Sequence, residues 1–381
     1  MEGGGEEEIL RVRASALVRI GASLLFLTSC VTSPDAVASP TAARTADIRR
    51  SRLDIAYSAF VDLDVHKPSS RAALQAMIDA LKREAKATGG KDDFPALDFR
   101  DSTEVELADF KKFAEAATDF AARNPQLSPD RIADAAIGAM IQIAPDCHTS
   151  YVTRGGQVVR SRVESSTGTS AQVPAGGTTV FGPDANGLQA KILPGGIAYV
   201  TFRQWAVTGT YRIPDELRKA LDAAVAAGAK AWLFDLRANP GGNGADAVAS
   251  FFLNGEATLR TTVKTGNAGT ASANRDLRLP SAYQLPIAIV LNGRSASATE
   301  VFAQSLRENK RATLVGATTV GCLGAESPTA FSDGGELDVT VEEYVGAQTG
   351  AAYNNKGIPP DVIADDGSAV DQAIAVLKQK L

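Results

Sequence analysis

The chain is poor in the residues that carry metal and redox chemistry. It holds two histidines, His66 and His148, and three cysteines, Cys30, Cys147 and Cys322. So few histidines leave no H-E-x-x-H or comparable ligand cluster, and neither a metal nor a cofactor is implied. Aromatic residues make up 6% of the chain, and no apolar run reaches the ~18 residues that a spanning helix needs. Basic residues number 39 against 44 acidic ones and nowhere form a block, which argues against a nucleic-acid partner. What remains is 44% apolar and 22% charged, the composition of a globular protein with room for more than one domain.

The N-terminus departs from that average. Arg11, Arg13 and Arg19 precede the apolar stretch Ile20–Leu27, and Thr28-Ser29-Cys30 follows. Basic residues, a short apolar run and then small residues are the layout of an export signal. The ending Leu27-Thr-Ser-Cys30 resembles a bacterial lipobox. That resemblance implies a signal peptide over 1–30, lipid on Cys30, a place in the cell envelope and membrane contact through the lipid alone. Arg19 within the apolar stretch and the acidic Glu6-Glu7-Glu8 break the pattern and point to a start later than Met1. Residues 31–45, rich in Ser, Thr, Ala and Pro, read as a flexible tether.

From 46 to 145 the apolar spacing is helical: Leu53, Tyr57 and Phe60, then Leu74, Met77, Ile78 and Leu81, then Phe110, Phe113 and Ala117. Ser128 with Pro129 opens a last helix through Ile132, Ala136 and Met140. This helical N-terminal domain leads into Asp146-Cys-His-Thr-Ser-Tyr151. Residues 152 to about 190 are polar and weakly patterned, with short strands and loops at best. Beyond them strands and helices alternate: Ile197–Phe202, a helix over Pro214–Ala227, Ala231–Leu236, a helix through Val248 and Phe252, Pro286–Leu291, and Thr313–Gly316. That alternation predicts an α/β core over 146–381.

The strand Pro286–Leu291 runs into Asn292-Gly-Arg-Ser-Ala-Ser-Ala-Thr-Glu300, after which Val301, Phe302 and Leu306 recur at helical spacing. A serine at such a strand-to-helix turn sits at the positive end of a helix beside free backbone N–H groups. Those amides can hold a developing oxyanion, so the position suits acyl transfer. Taken alone, the same run reads rather as a serine-rich helix cap, since caps are far commoner than nucleophiles.

Three separated motifs change that balance. Phe234-Asp-Leu-Arg-Ala-Asn-Pro-Gly-Gly242, the serine run above, and Lys356-Gly-Ile-Pro-Pro-Asp361 resemble, in this order, the carboxyl-terminal processing (tail-specific) protease family. Asp146-Cys-His-Thr149 resembles the D-x-H-T element of that family. The resemblance covers about residues 50–375. It implies a crotonase/ClpP-like core of β-β-α units, a polypeptide substrate and serine peptidase chemistry. Ser297 then maps onto the nucleophile, with Ser295 as a turn neighbour. The Ala298 amide and one from Gly241 or Gly242 map onto the oxyanion hole.

One departure matters most. Family members with a Ser/Lys dyad carry lysine in a T-F-G-K-G segment, and here Thr319-Val-Gly-Cys-Leu-Gly324 puts Cys322 in its place. A serine hydroxyl is a weak nucleophile without an adjacent base. His148 is the expected base, because its segment resembles that of the Ser/His/Glu branch, which includes tricorn-like and chlamydial secreted proteases. His66, in a polar stretch, reads as a surface residue. Asn354 stands where that branch has glutamate, and Glu342, Glu343 or Asp146 are open alternatives. Cys147 and Cys322 both fall in motifs that converge on the site, which makes a disulfide between them the expectation and two buried thiols the alternative. The stretch from Tyr151 to Ile197 is too short for the PDZ module that many relatives insert there. The competing functional reading is a peptide- or small-ligand-binding protein that lost catalysis together with the lysine.

Overall fold

A computed structural model of the chain describes residues 51–161 and 167–381. The expected signal segment, Cys30 and the tether 31–45 lie outside the described residues. Four helices come first: α1 (Arg52–Leu63), α2 (Ser70–Ala87), α3 (Leu107–Arg123) and α4 (Pro129–Ile141). Serine side chains start three of them, Ser51, Ser69 and Ser128 each accepting an amide hydrogen from the first turn. Their apolar faces meet in one core, where Leu74, Met77 and Leu81 of α2 join Ala136, Ile137 and Met140 of α4. Tyr57 and Phe110 stack there with ring centroids 5.1 Å apart.

The remainder is mixed α/β. In chain order it holds β1 (Ser150–Val152), β2 (Val158–Arg160), β3 (Thr178–Phe181), β4 (Gln189–Leu193), β5 (Ile197–Thr201), α5 (Ile213–Ala226), β6 (Ala231–Asp235) and α6 (Ala245–Ser250). Then follow β7 (Ala257–Val263), β8 (Gly266–Ser272), β9 (Ile287–Leu291), α7 (Ala298–Glu308), β10 (Ala312–Gly316), β11 (Gly324–Ala330), β12 (Glu336–Gly346), β13 (Val362–Ile363) and α8 (Ala369–Lys378). One sheet runs β13-β10-β9-β6-β5-β4-β3, parallel from β13 to β5 and antiparallel beyond. Every residue of β5, β6 and β9 is buried, as a parallel sheet covered on both faces requires. Leu217, Leu221, Phe302 and Leu306 of α5 and α7 cover one face, and Ala369, Ala373 and Leu377 of α8 the other.

The second sheet, β2-β1-β12-β7-β8 with β11 also on β12, is antiparallel. Its residues Tyr151, Leu337 and Val339, with Phe331, complete the core of the helical region. Arg52 fastens the two together. Its guanidinium, almost fully buried, donates to Tyr151 Oη at 3.0 Å and pairs with Asp333 at 2.7 Å and with Asp130 and Asp134 at 3.3 Å. Among the described residues no helix is long and apolar enough to cross a membrane.

Two features of the parallel sheet place the site. β6 and β9 are hydrogen-bonded neighbours running the same way, so the turns that leave their carboxyl ends lie side by side. The turn after β6 carries Asn239–Gly242, and the turn after β9 carries Ser295–Ser297. Arg52→Ala removes the ties between helices and sheet, and its half-exposed carboxylate partners rehydrate in part. We expect chemical denaturation to show a loss of about 2 kcal/mol; an unchanged midpoint would mean that the ties are not needed.

Candidate active site

The β9 turn is stitched to the β6 turn at several points. Ser295 Oγ donates to Leu236 O at 2.9 Å and accepts from the Asn292 amide at 3.0 Å. Ala296 donates its amide to Asn239 O, and Thr299 Oγ1 donates to Asn239 while accepting from Trp205 Nε1 at 2.9 Å. Ser295 is thus wholly used in the turn. Ser297, half-buried, has φ +52° and ψ −119°, a region that non-glycine residues occupy only when the surroundings force it. Ser297 and Glu300 form a capping box, the Glu300 carboxylate taking the Ser297 amide and the Ser297 side chain facing the Glu300 amide.

Gly241 has φ +97°, and a Cβ on it would fall 2.6 Å from Ser297 Cβ and 2.9 Å from Ala298 N. One on Gly242 would fall 1.8 Å from Trp205 O. Both glycines are therefore required by close approach. Their amides differ. Gly241 N donates to Asn239 Oδ1 at 3.1 Å, whereas among the described residues no acceptor engages the amides of Gly242 and Ala298.

Glu300, one turn into α7, is completely buried. Its carboxylate accepts the Ser297 amide at 2.9 Å, the Cys322 amide at 2.7 Å, the Gly321 amide at 2.8 Å and the Thr319 hydroxyl. Burial pushes this carboxyl upward, against four hydrogen bonds that favour the charged form. Sequence reasoning passed over it as a functional residue, although Ser297-Ala-Thr-Glu300 has the S-x-x-E spacing in which such a glutamate reaches back to the cap amide.

On the other side, the turn between α4 and β1 carries Asp146, Cys147 and His148. Asp146 is completely buried. Its Oδ1 accepts the His148 amide at 2.8 Å and the Thr340 hydroxyl at 2.5 Å, and lies 3.7 Å from His148 Nδ1. Its Oδ2 accepts Asn354 Nδ2 at 2.9 Å. Burial alone would raise the Asp146 carboxyl, but the bonds from His148 and Thr340 outweigh it and hold the group well below the usual carboxylate range. Burial likewise opposes a proton on His148, yet Asp146, with Glu326 and Glu300 farther off, raises the imidazole above its ordinary value.

Cys147 and Cys322 are joined in a disulfide with Cα atoms 5.7 Å apart. Asp146, Cys147 and His148 offer donor atoms within 4.8 Å of one another, but the sulfur is committed to that bond rather than to a metal. Ala296, Val320, Cys322 and Cys147 pack as one small cluster, so the histidine loop is seated against the residue preceding Ser297.

Two expectations need correction. The Asn354 amide, expected to orient His148, instead holds Asp146, while its Oδ1 accepts from the Leu323 amide at 3.0 Å. Asp146 is the carboxylate beside the imidazole. His66, read as a surface residue, is only 25% exposed and joins the same network, 2.9 Å from Asp64 Oδ1, 3.4 Å from Asn354 Nδ2 and 3.7 Å from Asp146 Oδ2. The signal was present: Asp64-Val-His66 repeats the Asp-x-His spacing of Asp146-Cys-His148. In both, the aspartate accepts the histidine amide at 2.8 Å.

Residues 196–364 match the model of peptidase family S41. The carboxy-terminal processing protease CtpA of Bacillus subtilis is 30% identical over 153 residues, 39% of this chain and 32% of that protein. The chloroplastic carboxyl-terminal-processing peptidase 3 of Arabidopsis thaliana is 34% identical over 155 residues, 40% of this chain and 29% of that one. The matched stretch thus spans about a third of the length of these curated relatives. Among solved structures, a putative peptidase from Parabacteroides merdae aligns with TM-score 0.51 and 18% identity, over 80% of this chain and 96% of that one. At that identity the likeness concerns the fold.

Two outcomes follow for the scaffold. Glu300→Gln replaces an oxygen that accepts two hydrogen bonds by an amide nitrogen that accepts none, and should cost about 2 kcal/mol in denaturation; equal stability would show that the carboxylate is not the organising group. Replacing Cys147 and Cys322 together by serine opens a covalent loop of 175 residues and should cost about 2–4 kcal/mol. A variant as stable as the parent would argue that the bond braces nothing.

Proposed function

We propose that the chain, whose residues 196–364 match the model of peptidase family S41, is a serine endopeptidase acting through Ser297 and His148. The core is read as crotonase/ClpP-like, with the parallel sheet presenting the β6 and β9 turns to a polypeptide. The observation that carries the reading is the linkage of the two groups. The Ser297 and Cys322 amides share the Glu300 carboxylate, and Cys322 is bonded to Cys147, the neighbour of His148.

His148 Nδ1 faces Asp146, which leaves Nε2 as the basic nitrogen. Ser297 Oγ attacks the scissile carbonyl carbon as its proton passes to Nε2. The carbonyl oxygen takes the negative charge and is held by the Ala298 and Gly242 amides, which have no other acceptor among the described residues. Collapse of the tetrahedral adduct breaks the C–N bond, and the imidazolium protonates the leaving amine. Water, deprotonated by the same nitrogen, then releases the acyl group. Asp146 stabilises the imidazolium as an amide could not, and Asn354 keeps Asp146 in place. Attachment through a lipid on Cys30, and hence a place in the cell envelope, rests on the Leu27-Thr-Ser-Cys30 ending.

The base must be neutral to act, and its proton affinity is raised. Cleavage of casein should therefore increase with pH through a midpoint above 6.5, the ordinary imidazole value. Ser297→Ala and His148→Ala should each lose about 1,000-fold or more in kcat/KM. Cleavage that survives Ser297→Ala would end the proposal. A folded wild type that cleaves nothing would favour the ligand-binding alternative.

A further inference from the structure

The mechanism uses one of the two histidines, yet the other is built into the same network. His66 lies just beyond α1, in the helical N-terminal region, and reaches the buried carboxylate that faces His148 from the opposite side. The Asn354 Oδ1 bond to the Leu323 amide fixes which end of that side chain is nitrogen. The nitrogen donates one hydrogen to Asp146 Oδ2 and faces His66 Nε2 with the other. His66 Nε2 is therefore the unprotonated nitrogen, and Nδ1–H is donated to Asp64 Oδ1. A proton arriving on Nε2 would be aimed at Asp146 Oδ2, 3.7 Å away.

We propose that His66 and His148 share the Asp146 carboxylate as a coupled pair, in which His66 takes the first proton and so keeps His148 neutral as a base. The pair rests on the serine-peptidase reading only for its consequence in catalysis. The order of protonation follows from the carboxylates. His66 holds Asp64 at 2.9 Å, against 3.7 Å between His148 and Asp146. Asp64 is completely buried, and its Oδ2 has no hydrogen-bond partner among the described residues, so a charge on His66 compensates a buried anion.

The surrounding charges act on both rings. His66 faces Asp64, Asp146 and Glu343 of β12, and is raised by its bond to Asp64 and by the other two carboxylates, against its burial. His148 faces Asp146, Glu326 of β11 and Glu300 of α7. These carboxylates favour a proton on His148, which works against its service as a base. A positive charge on His66, across one shared carboxylate, opposes that protonation. In this role His66 is a positioning residue for the proton, contributed by a segment outside the family-matched stretch.

The chain has only two imidazoles, so their ring C–H resonances can be followed by NMR in the intact protein without ambiguity. In the wild type, the His148 curve should show a second inflection where His66 titrates. In His66→Gln it should become a single step, shifted upward by about one pH unit. The acid limb of casein cleavage should move up with it. Identical His148 curves in the two proteins, or a downward shift, would overturn the coupling. If His66→Gln fails to fold, a single-step His148 curve in the wild type overturns it without any variant. Coupled curves in a protein that cleaves nothing would leave this inference standing while the peptidase reading fails.

Discussion

Glu300 is the constraint on which the site depends. A buried carboxylate is expensive, and here four donors offset the expense by converging on it. Two of those donors are the amide of Ser297, held at positive φ, and the amide of Cys322. One carboxyl group thereby fixes the turn after β9 and the segment leading to β11 in a single arrangement. The Thr319 hydroxyl, bound to the same carboxylate, in turn accepts the Ile358 amide at 2.7 Å, so the third sequence motif is fastened to the same point.

The disulfide carries that order across to the histidine loop. At the position where the sequence resemblance implies a lysine, this chain has a sulfur bonded to the neighbour of an imidazole. The substitution at Cys322 is therefore not simply a loss. It puts a covalent tie to the histidine loop on the segment where the sequence resemblance implies a lysine. A second buried carboxylate, Asp146, then sets the imidazole from behind, and Asn354, Thr340 and His66 surround it. The site thus rests on two buried carboxyl groups, Glu300 at the Ser297 turn and Asp146 beside His148.

Much of this was legible in the sequence, and the limit has a physical cause. β5, β6 and β9 are continuous apolar runs because a parallel sheet buries both faces, and the helix expected over Pro214–Ala227 runs Ile213–Ala226. β2, β3 and β8 left little pattern, since they are short or largely exposed and carry no apolar alternation. Ser297 and the two glycines were reached through motifs of adjacent residues, although the serine run by itself reads as a helix cap. Contacts across long separations did not announce themselves. Asn354 and Asp146 meet over 208 residues, and nothing in either segment names the other. His66 was misread for the same reason, because polar neighbours in sequence gave no hint of a buried carboxylate approaching from another element.

The central claim is that Ser297 is an activated hydroxyl whose base is His148. Treatment of the purified protein with a fluorophosphonate, followed by peptide mapping in a mass spectrometer, tests it most directly. The account predicts one adduct, on the peptide containing Ser297, formed in the wild type and absent from folded His148→Ala. An adduct on another residue, or equal modification of Ser297 without the imidazole, would contradict it.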